Sequence, residues 1–140
     1  MGVSEKMTKN SHPPLLFNRG KWYRFLDLRQ NNLGEINARV SVESDSFWFS
    51  GHFPDNPILP GIAQLSMVLD AICQAEDERF QLKQVSRVRF KRIIRPGDPL
   101  EVVICPGNRT PLTCTFRVES GGELACSGRL TVERQPPEDI

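Results

Sequence analysis

The sequence predicts an α+β domain in which strands surround one buried helix. Five segments alternate apolar and polar residues with period two, which is typical of half-buried strands. One segment, from residue 61 to about residue 77, instead carries helix-forming residues with apolar side chains on most sides. Because a helix that is apolar nearly all round needs packing partners on every side, it belongs at the centre of the fold.

The strand segments follow one another along the chain, and each has one apolar face. Their apolar residues are Ile36, Ala38, Val40 and Val42; Val88 and Phe90; Leu100, Val102 and Ile104; Leu112, Cys114, Phe116 and Val118; and Leu124, Cys126, Leu130 and Val132. Gly121-Gly122 predicts a two-residue hairpin between the last two segments. Pro96-Gly97-Asp98 predicts a turn between the second segment and the third. Four aromatic residues are expected to pack in the core or at an interface: Trp22, Tyr23, Phe47 and Trp48.

Length and charge restrict the class of protein. A chain of 140 residues supports one hydrophobic core but not two ordinary domains, so we expect a single domain over residues 15–135 between flexible tails at 1–14 and 136–140. The 18 Lys and Arg residues against 17 Asp and Glu residues argue against a dedicated nucleic-acid binder. No apolar run reaches the ~18 residues of a membrane span, and the N-terminus lacks the apolar core of a signal peptide. These features favour a cytoplasmic protein.

The four cysteines, Cys73, Cys105, Cys114 and Cys126, are predicted to be buried free thiols. None forms a CxxC pair and no histidine lies near them at zinc-finger spacing, so we expect no metal site. Each falls within an apolar pattern, where cysteine packs as a small hydrophobic residue. Disulfides are the less favoured alternative in a cytosolic chain.

The predicted helix carries a polar stripe of Ser66, Asp70, Cys73 and Asp77. Their spacing of four, three and four places these residues on one face of the helix. One interpretation is that the stripe is a solvated edge. The other is that it borders a functional site.

Residues 51–61, GHFPDNPILPG, are the segment most indicative of chemistry. Three prolines and two glycines in eleven residues predict a stiff loop that leads into the N-terminus of the helix. A helix N-terminus offers unpaired N–H groups and partial positive charge, which can polarise a carbonyl oxygen. His52 on that loop can remove a proton from the carbon next to such a carbonyl. The alternative for His52 is a loop histidine with a structural hydrogen bond.

The pattern G-H-F-P-x-x-P-x-x-P-G resembles the signature of the 3-hydroxyacyl-(acyl carrier protein) dehydratases of bacterial fatty-acid synthesis. A second block, RFKRIIRPGD at residues 89–98, looks like the strand and turn that follow the helix in that family, and the likeness covers residues 35–133. The resemblance implies a hotdog fold, in which an antiparallel sheet wraps a long helix, and a dimer with active sites at the subunit interface. It implies no cofactor and no metal, because the acyl group arrives on the phosphopantetheine of acyl carrier protein or CoA.

The resemblance also assigns roles residue by residue. His52 corresponds to the base at C2 of the acyl thioester, and the N–H of Gly61 to the donor that binds the thioester carbonyl. Phe53, Pro60 and Ile62 belong to the same motif and are expected to bind substrate. The position five residues after Gly61 corresponds to the Glu or Asp, contributed by the other subunit, that helps expel the 3-hydroxyl as water.

This chain has Ser66 at that acid position. A serine hydroxyl can orient a water or a substrate hydroxyl, but it is far too weak an acid to supply a proton near neutral pH. Asp70 lies one turn further, about 6 Å along the helix axis. It could replace the acid if the substrate lies deeper or if a water bridges the gap.

The second block is strongly basic. Arg87, Arg89 and Lys91 share one face of the predicted strand, and Arg92 and Arg95 extend the cluster towards the turn. A solvated sheet face is a sufficient explanation. Because acyl carrier proteins are acidic, the resemblance also suggests that Arg89, Lys91 and Arg92 dock the carrier.

Three functions remain open from the sequence. The first is a dehydratase of 3-hydroxyacyl thioesters in fatty-acid or related acyl-chain biosynthesis, with His52 as the base. The second is a hotdog thioesterase in which Asp70 supplies the carboxylate. The third is a non-catalytic acyl-binding subunit, or the heterodimeric partner of an intact paralogue. The His52 loop favours the first and third, so we predict a dehydratase-like protein that forms a homodimer, a higher oligomer or such a heterodimer.

Overall fold

The computed structural model describes residues 22–43 and 58–136. These ranges contain β1 (Tyr23–Gln30), β2 (Ile36–Val42), α1 (Gly61–Glu76), β3 (Phe80–Phe90), β4 (Leu100–Arg109), β5 (Leu112–Ser120) and β6 (Glu123–Arg134). The predicted tail at 1–14 and nearly all of the tail at 136–140 lie outside the described residues. So do Phe47, Trp48, His52 and Phe53.

The six described strands form one antiparallel sheet with the order β1-β2-β4-β5-β6-β3. The chain passes through α1 between β2 and β3, and β3 then joins the far edge of the sheet beside β6. The helix packs against β1, β2, β3 and β4, and 12 of its 16 residues are buried. This arrangement confirms the predicted central helix. The described residues contain no helix that is long and apolar enough to cross a membrane.

Alternating burial runs along the strands that face the helix. In β5, the predicted apolar residues Leu112, Cys114, Phe116 and Val118 are buried, and the residues between them are more exposed. Strands β2 and β4 show the same alternation. The period-two interpretation of these segments is therefore correct, because a sheet with one covered face buries every second side chain.

Strand β1 and the first half of β3 are not evident from the sequence pattern. The strand pairing shifts in β1 between Phe25 and Asp27, and in β3 between Leu82 and Gln84 and again after Ser86. Each such bulge moves the following side chains out of the regular alternation, so the sequence of these strands contains no long stretch with a period of two. Arg87 lies inside the second bulge of β3 with φ 56° and so departs from the regular alternation predicted for it.

The predicted turns and helix end are confirmed. Gly121 and Gly122 have φ angles of 60° and 84°, as a tight hairpin of the type I′ class requires. Gly97 in the turn before β4 has φ 86°. The helix ends at Glu76, and Asp77 follows as a left-handed C-cap with φ 57°.

All four cysteines are free thiols. Cys73, Cys114 and Cys126 are buried as predicted, whereas Cys105 is only half-buried, which corrects the prediction for that residue. Cys105 alternates with buried Ile104 and therefore lies on the outer face of β4. Within residues 22–43 and 58–136, no group of His, Cys, Asp and Glu side chains is arranged to hold a metal ion.

Candidate functional site at the start of the central helix

The first turn of α1 presents backbone N–H groups that its own side chains do not cap. Pro60, the N-cap residue, is extended and makes no side-chain cap hydrogen bond, and the first turn carries no acidic residue. The Pro60 carbonyl accepts hydrogen bonds from Ala63 N (3.1 Å) and Gln64 N (3.2 Å). Among the described residues, the N–H groups of Gly61 and Ile62 have no such partner. The helix start can therefore donate two hydrogen bonds, with the helix dipole, to an oxygen that carries negative charge.

A phenylalanine ring lies directly against this helix start. A Cβ atom on residue 61 would be only 2.5 Å from Phe90 Cζ and 2.8 Å from Phe90 Cε1, so glycine allows the close approach. The Leu59 N–H donates to the Ile94 carbonyl (2.9 Å), which joins the segment before α1 to the segment after β3. The segment that leads into α1 and the basic block, about 30 residues further along the chain, thus meet at Gly61.

Three exposed apolar side chains belong to the two segments that meet at the helix start. Ile62 is 43% exposed, Phe90 57% and Ile93 49%, whereas most large apolar residues of the described chain are buried. We call these three residues the apolar mouth. An apolar surface next to unpaired N–H groups can bind a ligand with both an alkyl part and a carbonyl group.

The polar stripe of the helix does not form a solvated edge. Ser66 is fully buried, and Asp70 and Cys73 are 3% and 1% exposed, so that interpretation is wrong for these three residues. Asp77 alone is exposed, at the end of the helix. The Cys73 thiol accepts a hydrogen bond from Phe80 N (3.4 Å), and burial raises its pKa to about 11. Cys73 therefore links α1 to β3 as a neutral thiol.

Asp70 is held by two buried donors that sequence reasoning missed. The Tyr23 hydroxyl on β1 donates a hydrogen bond to Asp70 Oδ2, and Gln74 Nε2 donates to the same oxygen (3.3 Å). Burial raises the pKa of the Tyr23 phenol far above its ordinary range, and the charge of Asp70 and the bond to it act in the same direction. The Tyr23 hydroxyl therefore keeps its proton and donates a hydrogen bond throughout the ordinary pH range. Gln74 follows Asp70 at helical spacing, but no sequence signal connects Tyr23 to a residue 47 positions away.

The hydroxyl of Ser66 has no hydrogen-bond partner among the described residues, although it is fully buried. An unpaired buried hydroxyl costs about 1–3 kcal/mol, so such groups are rare unless a ligand or water completes them. Ser66 lies one turn before Asp70 on the same side of the helix. The structure thus joins Tyr23 to Asp70 in the interior and buries Ser66 one turn before Asp70, while Pro60, Gly61 and Ile62 lie at the helix start.

The basic residues divide into paired and unpaired groups. Arg92, one of the predicted docking residues, forms an ion pair with Glu123. Arg89 and Lys91 are exposed and have no ion-pair partner among the described residues. The pairing of β5, β6 and β3 places Arg117 and Arg89 on opposite sides of Ser127. Arg129 lies two residues further along β6, so this part of the outer sheet face carries three arginines, which we call the arginine face: Arg89, Arg117 and Arg129. Arg117 forms an ion pair with Glu119 (3.1 Å).

Comparison with known proteins decides the family. The ApeI-like family model, which describes the ApeI dehydratase, matches residues 28–129. The chain belongs to the ApeI-like dehydratase family. It is also 40% identical over 114 residues to the 3-hydroxyacyl-(acyl-carrier-protein) dehydratase FabZ of Psychrobacter arcticus, which covers 71% of this chain and 77% of that enzyme.

One further relative of this ApeI-like chain supports the family, and one solved structure supports the fold. The FabZ dehydratase of Levilactobacillus brevis is 33% identical over 116 residues, or 71% of this chain and 74% of that enzyme. The solved dehydratase heterocomplex ApeI:P from Xenorhabdus doucetiae superimposes with a TM-score of 0.70 at 24% identity, over 79% of this chain and 97% of that chain. The hotdog fold and the dehydratase family implied by the two sequence motifs are therefore confirmed.

Proposed function

We propose that this chain catalyses the reversible dehydration of 3-hydroxyacyl thioesters. The observation that carries the proposal is the uncapped start of α1, where the N–H groups of Gly61 and Ile62 lie beside the apolar mouth. The FabZ relatives are named as dehydratases of 3-hydroxyacyl groups on acyl carrier protein, and in this chain Gly61 of the first motif lies against Phe90 of the second. The combination of unpaired N–H groups at the helix start and an apolar surface beside them supports this substrate class.

The proposed chemistry uses the helix start to stabilise charge on the thioester oxygen. Removal of the C2 proton by His52 moves negative charge onto that oxygen, and the Gly61 N–H donates to it. Preorganised donors of this kind contribute roughly 10²–10³-fold in rate each. Pro60 holds the extended backbone that directs the Gly61 N–H outward, and Ile62 with Phe53 contacts the acyl group.

The acyl group is proposed to arrive on a carrier that docks at the basic strand. Arg89 and Lys91 are exposed cations, and Arg129 extends the positive surface to β6. Arg117 contributes less, because it is paired with Glu119. Because Arg92 is paired with Glu123, its share in docking is the smallest of the predicted set. Both acyl carrier protein and CoA present phosphopantetheine, so the chain needs no resident cofactor for this reaction. The cytoplasmic location and fatty-acid or related acyl-chain biosynthesis remain predictions.

Hydration of an enoyl-CoA, followed by loss of enoyl absorbance, tests the activity directly. His52→Ala should lower the rate by roughly 10²–10⁴-fold, because it removes a positioned base. The matched control is His12→Ala, which removes the other histidine of the chain, outside the motif. Equal rates in the wild type and in both variants would contradict the role of His52.

Charge reversal tests the docking surface separately. Arg89→Glu together with Lys91→Glu should lower kcat/KM roughly 10-fold for a carrier-bound substrate at low salt, because steering depends on charge, and should spare the CoA substrate. Arg24→Glu together with Lys83→Glu makes the same change in net charge at exposed positions on β1 and β3. Equal losses on the carrier and CoA substrates would contradict docking at Arg89 and Lys91.

A heteromeric role is the second candidate function. It is supported by Ser66 at the acid position and by the likeness to a solved protein described as a dehydratase heterocomplex. In that case the purified chain would show no hydration activity by itself, and adding an intact paralogue would restore a rate that depends on His52. A thioesterase would instead release free thiol from acyl-CoA and would depend on Asp70 rather than His52.

A further inference from the structure

The buried polar residues of α1 suggest how this chain manages without an acid at position 66. We propose that Ser66 and Asp70 together form a two-residue proton relay, and that Tyr23 is the positioning residue that holds the Asp70 carboxylate in place. The relay would serve the 3-hydroxyl end of the substrate, opposite the C2 end served by His52. This inference rests on the proposed dehydratase function.

The unpaired hydroxyl of Ser66 is the first observation. Its oxygen is fully buried and has no hydrogen-bond partner in the described part of the chain, which a folded protein tolerates when a ligand group completes the bond. A hydroxyl both donates and accepts, so Ser66 can pass a proton from one neighbour to another. This capacity does not require serine itself to be acidic.

The orientation of Asp70 is the second observation. Residues four apart on a helix lie on the same side, so Asp70 lies one turn beyond Ser66 on the same face, and both are buried. Tyr23 and Gln74 both donate to Oδ2, and this fixes the plane of the carboxylate. Asp70, Tyr23 and Gln74 are all at least 94% buried, since their exposed fractions are 3%, 6% and 5%. Two donors on one oxygen restrict a buried carboxylate to one orientation, which proton transfer over a short distance requires.

Tyr23 is itself held by its neighbours on β1. Its ring packs edge-on against Trp22, with centroids 4.4 Å apart, and against Phe25 at 5.5 Å. These contacts place the phenol at the end of the strand that crosses α1 near Asp70. Strand β1 therefore supplies a rigid anchor for a carboxylate carried by the helix.

The hydration direction shows how the relay works. The oxygen of a water forms a bond to C3 of the enoyl thioester, while the π electrons of C2=C3 form a bond from C2 to the proton that protonated His52 gives up. The attacking water transfers one proton to Ser66 Oγ. Because Ser66 and Asp70 do not hydrogen-bond directly, the Ser66 hydroxyl passes its own proton to the Asp70 carboxylate through one bridging water. After the product leaves and water enters the site, the proton on Asp70 returns along Ser66 to solvent, and His52 takes up a proton from solvent, so the cycle is balanced. Dehydration is the same path in reverse.

The test compares one substitution in two backgrounds. Tyr23→Phe removes the hydroxyl and keeps the ring, so kcat for enoyl-CoA hydration should fall roughly 10-fold or more, with KM within about twofold. Ser66→Asp places a carboxylate directly at the acid position and makes the relay unnecessary. In that background Tyr23→Phe should change kcat by less than about twofold. Ser66→Asn is the uncharged control for the same change in size.

Asp70→Asn provides a second arm that does not depend on Ser66→Asp folding. It should lower kcat as much as Tyr23→Phe does, and the double variant should be no slower than the slower single variant, because residues that act as a unit are not additive. If the fold losses in kcat of the two single variants instead multiply in the double variant, the relay is wrong. Equal losses from Tyr23→Phe in both Ser66 backgrounds would mean that Tyr23 only stabilises the fold.

The possible results also distinguish failure of the relay from failure of the proposed dehydratase function. No hydration by the wild type, with no effect of His52→Ala, would overturn the proposed function and the relay together. Wild-type hydration that depends on His52 but not on Tyr23 or Asp70 would overturn the relay alone.

Discussion

Replacing Gly61 by alanine is a direct test of the contact between the helix start and Phe90. The new Cβ would lie 2.5 Å from Phe90 Cζ, whereas carbon atoms in contact are ~3.5–4.0 Å apart. The ring must therefore move by about 1 Å. Because Phe90 is 57% exposed, it can swing towards solvent and lose at most the part of its surface that is covered.

The free-energy change follows from that covered surface. A phenylalanine buries about 150–250 Å² when fully covered, so the covered part of Phe90, somewhat less than half, at ~25 cal/mol per Å² gives an upper limit of roughly 2.7 kcal/mol. Alanine offsets about 0.5–1 kcal/mol of the loss, because it orders at a lower entropic cost than glycine. We expect Gly61→Ala to lower the free energy of unfolding by about 1 kcal/mol, or Tm by about 3 °C.

Urea denaturation of matched variants measures this value. Gly128→Ala is the control, because its Cβ would lie 2.8 Å from Cζ of Phe116, a ring that is only 1% exposed and cannot swing away. We expect that variant to lose about 1–3 kcal/mol, more than Gly61→Ala. Phe90→Leu should remove most of the cost of Gly61→Ala. Strict additivity of Gly61→Ala and Phe90→Leu, or a larger loss at Gly61 than at Gly128, would refute the reasoning.

Two further predictions concern stability. Burial raises the pKa of Cys73, Cys114 and Cys126 from 9.0 to about 11, so the unfolded chain loses these protons first and the free energy of unfolding should fall from pH 9 to pH 11. Urea titrations at each pH should show a shallower fall in Cys126→Ala, and an unchanged slope would contradict the effect of burial. Arg87→Gly should raise the free energy of unfolding by about 0.5–1 kcal/mol, because Arg87 has φ 56°. Arg89→Gly, at a regular strand position, should lower it by about as much; the same sign for both would argue against strain at Arg87.

Local patterns in the sequence were enough to predict much of the fold. The all-round apolar character of residues 61–76 predicted a buried helix, because no other position in a small domain covers every side of a helix. Alternation in β2, β4 and β5 predicted strands with one covered face, and Gly121-Gly122 predicted the hairpin that joins β5 to β6. The bulges of β1 and β3 interrupt the period of two, so those strands could be recognised only from their pairing partners.

The candidate site also has some features that local sequence motifs predict and others that only the tertiary structure shows. The order of residues along the chain was sufficient to indicate the His52 loop, the helix start at Gly61 and the serine at position 66, since these lie within one continuous motif. Only the tertiary structure decided that Ser66 and Asp70 are buried rather than solvated, and that Phe90 lies against Gly61. It also decided that Tyr23 donates to Asp70, 47 residues away. Contacts between distant segments depend on how the strands cross the helix, and no local periodicity encodes that geometry.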